Sequence, residues 1–222
     1  MIGTSIRRRA LMYVPGSSLK MLTKALSIKN LDTMVYDLED GVSFNAKNDA
    51  RNNIHNMLNI NNPADIDTEL LVRINPINSG LEAEDLDSVL SSKFLPQGIT
   101  IPKVEQVDDL LYTANKIQEY TKNGESLNLI AMIETPLGLV NLKEMIDIFI
   151  KKNTTKHNLT ALIFGADDYA AAMNIDRSDD NHEVDFPRNM MSLIGKAYNL
   201  QCIDLVTKEF KDDIRLKNDI IQ

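Results

Sequence analysis

Short apolar runs recur along this chain and alternate with longer amphipathic stretches. Runs of this kind, rich in β-branched and aliphatic side chains and followed by segments of helical periodicity, are typical of successive βα units. Their spacing is roughly thirty residues, which is the length of such a unit. The pattern predicts strands at residues 10–14, 34–37, 70–74, 99–101, 127–133, 159–164 and 202–206.

Two of the amphipathic stretches have the three- and four-residue spacing of a helix with one apolar face. Thr135 followed by Pro136 predicts where the second helix begins, because a hydroxyl side chain caps free N–H groups and proline suits the first helical position. The apolar positions are Val107, Leu110, Leu111, Ala114 and Ile117 in the first helix, and Leu139, Leu142, Met145, Ile146 and Phe149 in the second.

Charged residues stand where several predicted strands end. Arg73 lies at the end of the third run, Glu134 follows the fifth, and Asp168 follows the sixth after a short turn. A doubly wound sheet gathers function at one switch point, whereas every strand of a barrel points to one mouth. The pattern therefore predicts an α/β fold of the TIM (β/α)8 type, in a single domain over residues 1–222. Only residues 207–222 follow the seventh predicted strand, and residues 208–217 are strongly charged, so we expect the last βα unit to be missing.

Composition narrows the classes of partner. The chain has 222 residues, 43% hydrophobic content and a net charge of −8, which disfavours nucleic acid as a partner because phosphate binding needs a basic surface. No apolar stretch approaches the roughly 18 residues that span a bilayer, so no membrane partner is expected. One cysteine and three scattered histidines make a zinc site of Cys and His ligands improbable.

Glu134 and Asp168 are candidate metal ligands. Hard divalent cations such as Mg²⁺ prefer oxygen ligands, and two carboxylates at adjacent strand ends repel each other unless a cation lies between them. The alternative is that each acid caps a helix or lies solvated in a loop. The spacing alone leaves both interpretations open.

Arg73 is a candidate anion ligand, because its planar guanidinium can hold a substrate carboxylate through two parallel hydrogen bonds. The alternative is an ion pair with Asp37, Glu39 or Asp40 at the end of the neighbouring strand. These three acids are also candidates for a supporting role, as partners of a metal-bound water or of Arg73.

Two further segments carry candidate chemistry. The first segment, residues 13–20, contains the end of a predicted strand with Tyr13, a tight turn and the start of a helix. Lys20 and Lys24 share one face of that helix. They could hold a phosphate-bearing cofactor, although a solvated lysine face explains the same spacing. Lys103 could form a Schiff base, but a metal site is an alternative way to activate a carbonyl, so this hypothesis carries less weight.

These motifs together resemble the citrate lyase β-subunit family of metal-dependent, HpcH/HpaI aldolase-like barrels. The resemblance covers nearly the whole chain in order and spacing. The matching phrases are RALMYVPG (9–16), DLEDGV (37–42), VRIN (72–75), IPKVE (101–105), IETPLG (133–138) and FGADD (164–168). The phrases GLEAEDL (80–86) and GKAYNLQCIDLV (195–206) are most similar to those of members that cleave citramalyl-CoA.

The resemblance implies roles for individual residues. Glu134 and Asp168 match the family's Mg²⁺ ligands, and Arg73 matches the arginine that holds the oxo-acid carboxylate. The positions of Tyr13, Lys20 and Lys24 match contacts to the acyl-CoA substrate. The implied reaction is a retro-Claisen cleavage of citramalyl-CoA, or of a malyl-type CoA thioester, which releases acetyl-CoA and a 2-oxo acid such as pyruvate or glyoxylate.

The chain also departs from the family pattern. Members continue with an Ile-His-Pro motif, a last barrel strand and a C-terminal lid that carries an acid/base aspartate, and none of these is found in this sequence. Two alternatives therefore stay open: a citrate lyase β-subunit that acts on a citryl thioester, and a non-catalytic protein that binds a metal and a 2-oxo acid. The resemblance further implies a homo-oligomer, expected to be a trimer. It places the protein in mitochondria although no presequence is visible, or in the cytoplasm if the source is bacterial.

Overall fold

The fold is a single curled parallel sheet in a computed structural model, which describes residues 6–121, 124–178, 180–207, 211–212, 214 and 217. Seven strands pair in chain order, each parallel to the next. Side chains from the first to the last strand meet on one face of this sheet, so the sheet curls into a half-barrel. The strands are β1 (Leu11–Pro15), β2 (Thr33–Asp37), β3 (Glu69–Arg73), β4 (Gly98–Ile101), β5 (Asn128–Ile133), β6 (Asn158–Phe164) and β7 (Gln201–Ile203).

Helices cover the outer face of the sheet, and the main apolar core lies between the two layers. None of the helices in the described ranges is long and apolar enough to cross a membrane. The helices are α1 (Leu19–Ala25), α2 (Lys47–Ile60), α3 (Glu82–Leu90), α4 (Val107–Tyr120), α5 (Pro136–Lys152), α6 (Ala166–Met173) and α7 (Asp185–Ala197), with short 3-10 turns at Phe44–Ala46, Pro63–Asp65 and His182–Val184.

The inner face of the half-barrel is arranged in three layers. The register of β2 and β3 shows these layers. Thr33 lies beside Glu69, the apolar Val35 lies beside Leu71 two residues further on, and Asp37 lies beside Arg73 after two more residues. Side chains alternate along a strand, so positions two apart share one face. The interior is thus polar at the N-terminal ends of the strands, apolar in the middle and charged at the C-terminal ends.

All seven predicted strands are present, and the prediction of a parallel α/β fold is confirmed. The end of the last strand differs from the prediction of 202–206, because β7 spans Gln201–Ile203. The physical reason lies at Asp204, which pairs with Arg188 at 2.5 Å and accepts the N–H of Leu205 at 2.8 Å. These contacts turn the backbone away from the ladder.

The sheet does not close on itself within the part of the chain that the structure describes. β1 pairs with β2 and β7 pairs with β6, and no ladder joins β1 to β7 there. The two edges are nevertheless linked near their N-terminal ends, where Arg8 Nη1 donates to Gln201 Oε1 at 3.0 Å and Gln201 Nε2 donates to the carbonyl of Ile6.

Candidate active site

The charged layer at the C-terminal ends of the strands is built around Arg73 and Asp37. They are direct neighbours on β3 and β2, so the strand register alone brings the two side chains together. Arg73 Nε and Nη2 each donate to a different Asp37 oxygen at 2.7 Å. Both side chains are buried, with 9% and 2% of their surface exposed. Of the two interpretations of Arg73, the ion pair is therefore confirmed, and substrate binding stays a prediction.

Glu39 connects this pair to a second cation. Its Oε2 lies 2.7 Å from Arg73 Nη1, and its Oε1 accepts a 2.7 Å hydrogen bond from Lys103 Nζ. Burial raises the pKa of Glu39, and the two cations oppose that shift. Asp40 is exposed and stays 3.8 Å and 3.9 Å from the same two cations. Glu39 is therefore a direct member of the cluster, whereas Asp40 lies at its rim.

Glu134 is buried in the cluster, with only 2% of the residue exposed. Burial, and next the negative charge of Glu39, raise the pKa of Glu134 to about 7. One oxygen accepts the backbone N–H of Lys103 at 2.7 Å. The side chain also lies against Gly165, where an added Cβ would overlap the carboxylate. The glycine between β6 and α6 therefore makes the room in which Glu134 sits.

Asp168 completes the cluster from the first turn of α6, where a negative charge is favoured by the helix dipole. Its Oδ2 lies 3.0 Å from Lys103 Nζ, and 36% of its side chain is exposed. Asp168 therefore closes the cluster on the solvent side, while Glu134 closes it on the inner side.

The sequence indicates Lys103 only as a Schiff-base candidate, yet this residue contacts three acids of the cluster. It follows β4 with a φ of +50°, an unusual backbone conformation for a lysine. Sequence position after a strand could have identified it, since Arg73 and Glu134 were found in that way. The left-handed backbone, which lets both the N–H and the ammonium face acids, leaves no signal in the sequence.

A buried polar network holds the turn that carries Glu39. Lys47 Nζ donates to the carbonyls of Leu38 and Glu39 at 2.6 Å and 2.8 Å, and to Asn75 Oδ1 at 2.7 Å. Asp85 in turn accepts the backbone N–H of Asn75 at 2.8 Å. Sequence reasoning missed these positioning residues, because polar side chains on α2 and α3 look like ordinary surface positions.

The predicted acyl-CoA residues fall into two groups. The Tyr13 ring lies 4.6 Å from the centre of the Arg73 guanidinium, and its hydroxyl donates to Met132 Sδ at 3.7 Å. Burial raises the pKa of Tyr13 above its usual range. Lys20 and Lys24 are exposed on α1, and neither joins the ion pairs of the cluster within the described ranges. The structure thus brings Tyr13 to the acids and leaves the two lysines outside.

A second concave feature lies at the N-terminal ends of the strands. A cavity of about 690 Å³ opens there, lined by Arg8, the first residues of β5 and β6, and apolar side chains of α5. The predicted site residues all belong to the opposite end, so this cavity is separate from the charged cluster.

The charges of the cluster do not balance. Four carboxylates (Asp37, Glu39, Glu134 and Asp168) face two cations (Arg73 and Lys103), which leaves two negative charges when all are ionised. A divalent cation has the charge that this donor set lacks, and carboxylate oxygens suit Mg²⁺. In the described part of the chain, no three potential ligands are yet grouped around one point as a bound metal would require. Lys103 lies between the acids instead.

Comparison with known proteins places this geometry in a family. The model of the HpcH/HpaI aldolase/citrate lyase family matches residues 9–219. The human protein named mitochondrial citramalyl-CoA lyase is 37% identical over 214 residues, which are 93% of this chain and 61% of that protein. The citrate lyase subunit beta of Haemophilus influenzae is 30% identical over 203 residues, which are 90% of this chain and 66% of that subunit.

Solved structures support the same architecture. A citrate lyase beta subunit from M. tuberculosis, complexed with oxaloacetate and magnesium, matches with a TM-score of 0.74 at 22% identity over 95% of this chain and 83% of its own. A Haloferax volcanii malate synthase matches with a TM-score of 0.80 at 18% identity over 97% of this chain and 69% of its own. The chain spans 61% of the length of the human relative that it matches. From these matches we conclude that the chain belongs to the HpcH/HpaI aldolase/citrate lyase family.

Proposed function

We propose that this chain is part of a Mg²⁺-dependent carbon–carbon lyase that cleaves citramalyl-CoA, or a malyl-type CoA thioester, to acetyl-CoA and a 2-oxo acid. The observation that carries the proposal is the charged cluster at the mouth of the half-barrel, where four carboxylates, three of them buried, face only two cations. Structural packing alone does not require so many acids in one place. The relatives named as lyases support the same reaction class.

In this proposal Glu134 and Asp168 hold the metal ion. Once bound, such an ion polarises a carbonyl oxygen and stabilises the negative charge that develops on it. Glu134 supplies a buried oxygen and Asp168 one at the solvent side, so the two can hold an ion from both sides. The backbone N–H of Lys103 keeps one Glu134 oxygen in place at 2.7 Å.

Arg73 orients the oxo acid in this scheme. Its ion pair with Asp37 fixes the plane of the guanidinium, and Nη1 and Nη2 each retain a second N–H beyond those given to Glu39 and Asp37. These donors can hold a substrate carboxylate, and the Tyr13 ring supports the guanidinium from one face. An arginine that is already immobilised loses little further entropy on binding.

Lys20 and Lys24 contact the phosphates of the CoA group in this proposal. α1 begins directly after β1, so the first turn of this helix lies at the mouth side of the sheet. Both ammonium groups are exposed there. Tyr13, deeper in the half-barrel, then meets the acyl end of the same substrate.

We further propose that an eighth strand closes the barrel between β7 and β1, because both edges are unpaired in the described residues. An acid/base aspartate from such a segment, and assembly into a homo-oligomer, expected to be a trimer, belong to the same proposal. Mitochondrial location is proposed from the name of the human relative.

The test combines binding and turnover. We expect Mg²⁺ and pyruvate to raise the melting temperature of the wild-type chain, since a ligand that binds only the folded state stabilises it. Glu134→Ala should abolish the Mg²⁺ effect, and Arg73→Lys should abolish the pyruvate effect while Mg²⁺ still binds. Glu144→Gln, at an exposed position on α5, is the matched control.

Cleavage of citramalyl-CoA in the same samples decides the reaction. Stabilisation with cleavage supports the lyase, and preference for a citryl thioester supports the citrate lyase β-subunit, which the Haemophilus influenzae relative favours. Stabilisation without turnover would identify a protein that binds a metal and an oxo acid only. An unchanged melting temperature with Mg²⁺ would overturn the metal site.

A further inference from the structure

Lys103 occupies the space between the acids of the cluster. Its ammonium lies 2.7 Å from Glu39 Oε1 and 3.0 Å from Asp168 Oδ2, and its own backbone N–H donates to Glu134. We propose that the Lys103 ammonium is the resident counter-ion of these carboxylates, and that a divalent cation binds only by displacing it from Asp168. The inference rests on the proposed function, which assigns a divalent cation to the same acids.

A metal ion and the Lys103 ammonium would compete for the charge of Asp168. The ammonium already lies at hydrogen-bond distance from Oδ2 of this residue. A metal ion bound to the same carboxylate would face the lysine at a few ångströms, where like charges repel strongly in a partly buried site. We therefore expect the ammonium to leave Asp168 when a metal ion binds there.

Lys103 has the freedom to move aside without unfolding the site. About a third of its side chain is exposed (32%), and the four-carbon stem is flexible. Glu39 offers a second acceptor, so the ammonium can leave Asp168 and stay paired at Oε1. The backbone stays anchored meanwhile, because the next residue, Val104, donates its N–H to the carbonyl of Met132 at 3.2 Å.

The same geometry argues against the Schiff-base hypothesis. Two carboxylate oxygens within 3.0 Å stabilise the charged ammonium of Lys103, and an ammonium has no free electron pair to attack a carbonyl. Lys103 acts here as a positioning residue that regulates access of the metal to Asp168.

The experiment is calorimetric titration of the full chain with Mg²⁺ alone, in the absence of substrate. If the ammonium occupies the site nine-tenths of the time, removing it should tighten apparent Mg²⁺ binding about tenfold. We expect this gain in Lys103→Met, whereas Lys103→Arg keeps the charge and should bind no more tightly than wild type. Lys116→Met is the matched control, since Lys116 also pairs with two acids, Asp87 and Glu119, each at 3.1 Å and far from the mouth.

The outcomes separate this inference from the proposed function. Wild-type binding with no gain in Lys103→Met overturns the inference and leaves the metal site intact. No Mg²⁺ binding by either protein overturns both. If circular dichroism shows that Lys103→Met is not folded, Lys103→Gly takes its place, because glycine adopts the left-handed φ without strain and keeps the N–H that holds Glu134.

Discussion

Glu134 makes the stability of the metal-free protein depend on pH. Its pKa in the folded state is about 7, raised from 4.5 by burial and by Glu39. The folded protein therefore binds this proton more tightly than the unfolded chain does. Stability falls as pH rises from about 4.5 to 7, because the unfolded chain releases the proton first.

Replacement of Glu134 by glutamine should remove this dependence. Glutamine is neutral at every pH and still offers an oxygen to the N–H of Lys103. A pKa shift of this size corresponds to about 3 kcal/mol, so we expect Glu134→Gln to stabilise the metal-free protein by up to that amount at pH 8. At pH 4.5 the wild type and Glu134→Gln should have nearly equal free energies of unfolding. Urea unfolding with a chelator present, at four pH values, measures the difference.

Glu144→Gln, on the exposed face of α5, controls for the chemical change alone. The effect of this substitution on the free energy of unfolding should be small and should not change between pH 4.5 and 8. If the unfolding free energies of Glu134→Gln and the wild type differ by the same amount from pH 4.5 to 8, the raised pKa does not belong to Glu134.

At the scale of single residues, the sequence identifies the acids and the arginine but not the way they are joined. Arg73, Glu134 and Asp168 each follow an apolar run, so topology alone predicts that they meet. Lys103 follows such a run as well, but its left-handed backbone is decided by tertiary contacts, including its N–H bond to Glu134. The counter-ion role could not be derived from spacing.

At the scale of elements, the start of α5 is defined by three residues. Thr135 caps the helix by accepting the N–H of Gly138 at 3.1 Å, and Pro136 occupies the first helical position. Gly138 lets this turn approach the loop after β4, because an added Cβ would overlap the carbonyl of Val104. Since that loop carries Lys103, the close approach supports the active site.

Gly138→Ala should therefore destabilise the protein although alanine is the better helix former. Overpacking of this kind costs about 1 to 3 kcal/mol, against roughly 1 kcal/mol gained in helix propensity. The free energy of unfolding in urea measures the balance. Gly195→Ala in α7 is the comparison, since its added Cβ would meet the Cys202 thiol, the end of a side chain that can rotate. A smaller loss in Gly138→Ala than in Gly195→Ala would contradict the argument.

The sequence predicts the existence of the strands more accurately than the residues at which they end. Six of the seven were predicted nearly in place, because strands of a parallel sheet that is buried on both faces have continuous apolar runs. β7 ends earlier than predicted, because the apolar residues 205–206 continue the run after Asp204, where the contact with Arg188 ends the ladder. A side-chain contact between distant residues is invisible to a local pattern.

At the scale of the whole molecule, the half-barrel is held together at its N-terminal end by one buried ion pair. Arg8 binds Glu69 of β3 with two hydrogen bonds of 2.6 Å, and both side chains are at most 3% exposed. Arg8 also reaches Gln201 on β7, and Glu69 accepts from Asn128 on β5 at 3.3 Å. Sequence reasoning missed this pair, because Arg8 lies in a basic segment that looks like a solvated terminus.

A double-mutant cycle tests the pair. Removal of one partner leaves a buried charge unpaired, so Arg8→Met and Glu69→Met should each cost about 3 to 5 kcal/mol of unfolding free energy. The double variant should recover most of that loss, because neither charge then remains buried. Arg9→Met is the control, since Arg9 pairs with Asp32 at 2.9 Å but is 74% exposed, and such pairs contribute little. Additive losses in the double variant would show that the two residues act independently.

The bonds that Arg8 and Ile6 make to Gln201 also have a practical consequence for handling the protein. These bonds connect the segment before β1 to β7, the last strand of the sheet. Residues 6–8 therefore bridge the gap between the β1 and β7 edges. A fusion tag or a protease site should be joined ahead of Ile6. A cut behind Arg8 would remove these contacts from β7, whose outer edge has no partner strand among the described residues and offers backbone groups on which neighbouring molecules could aggregate.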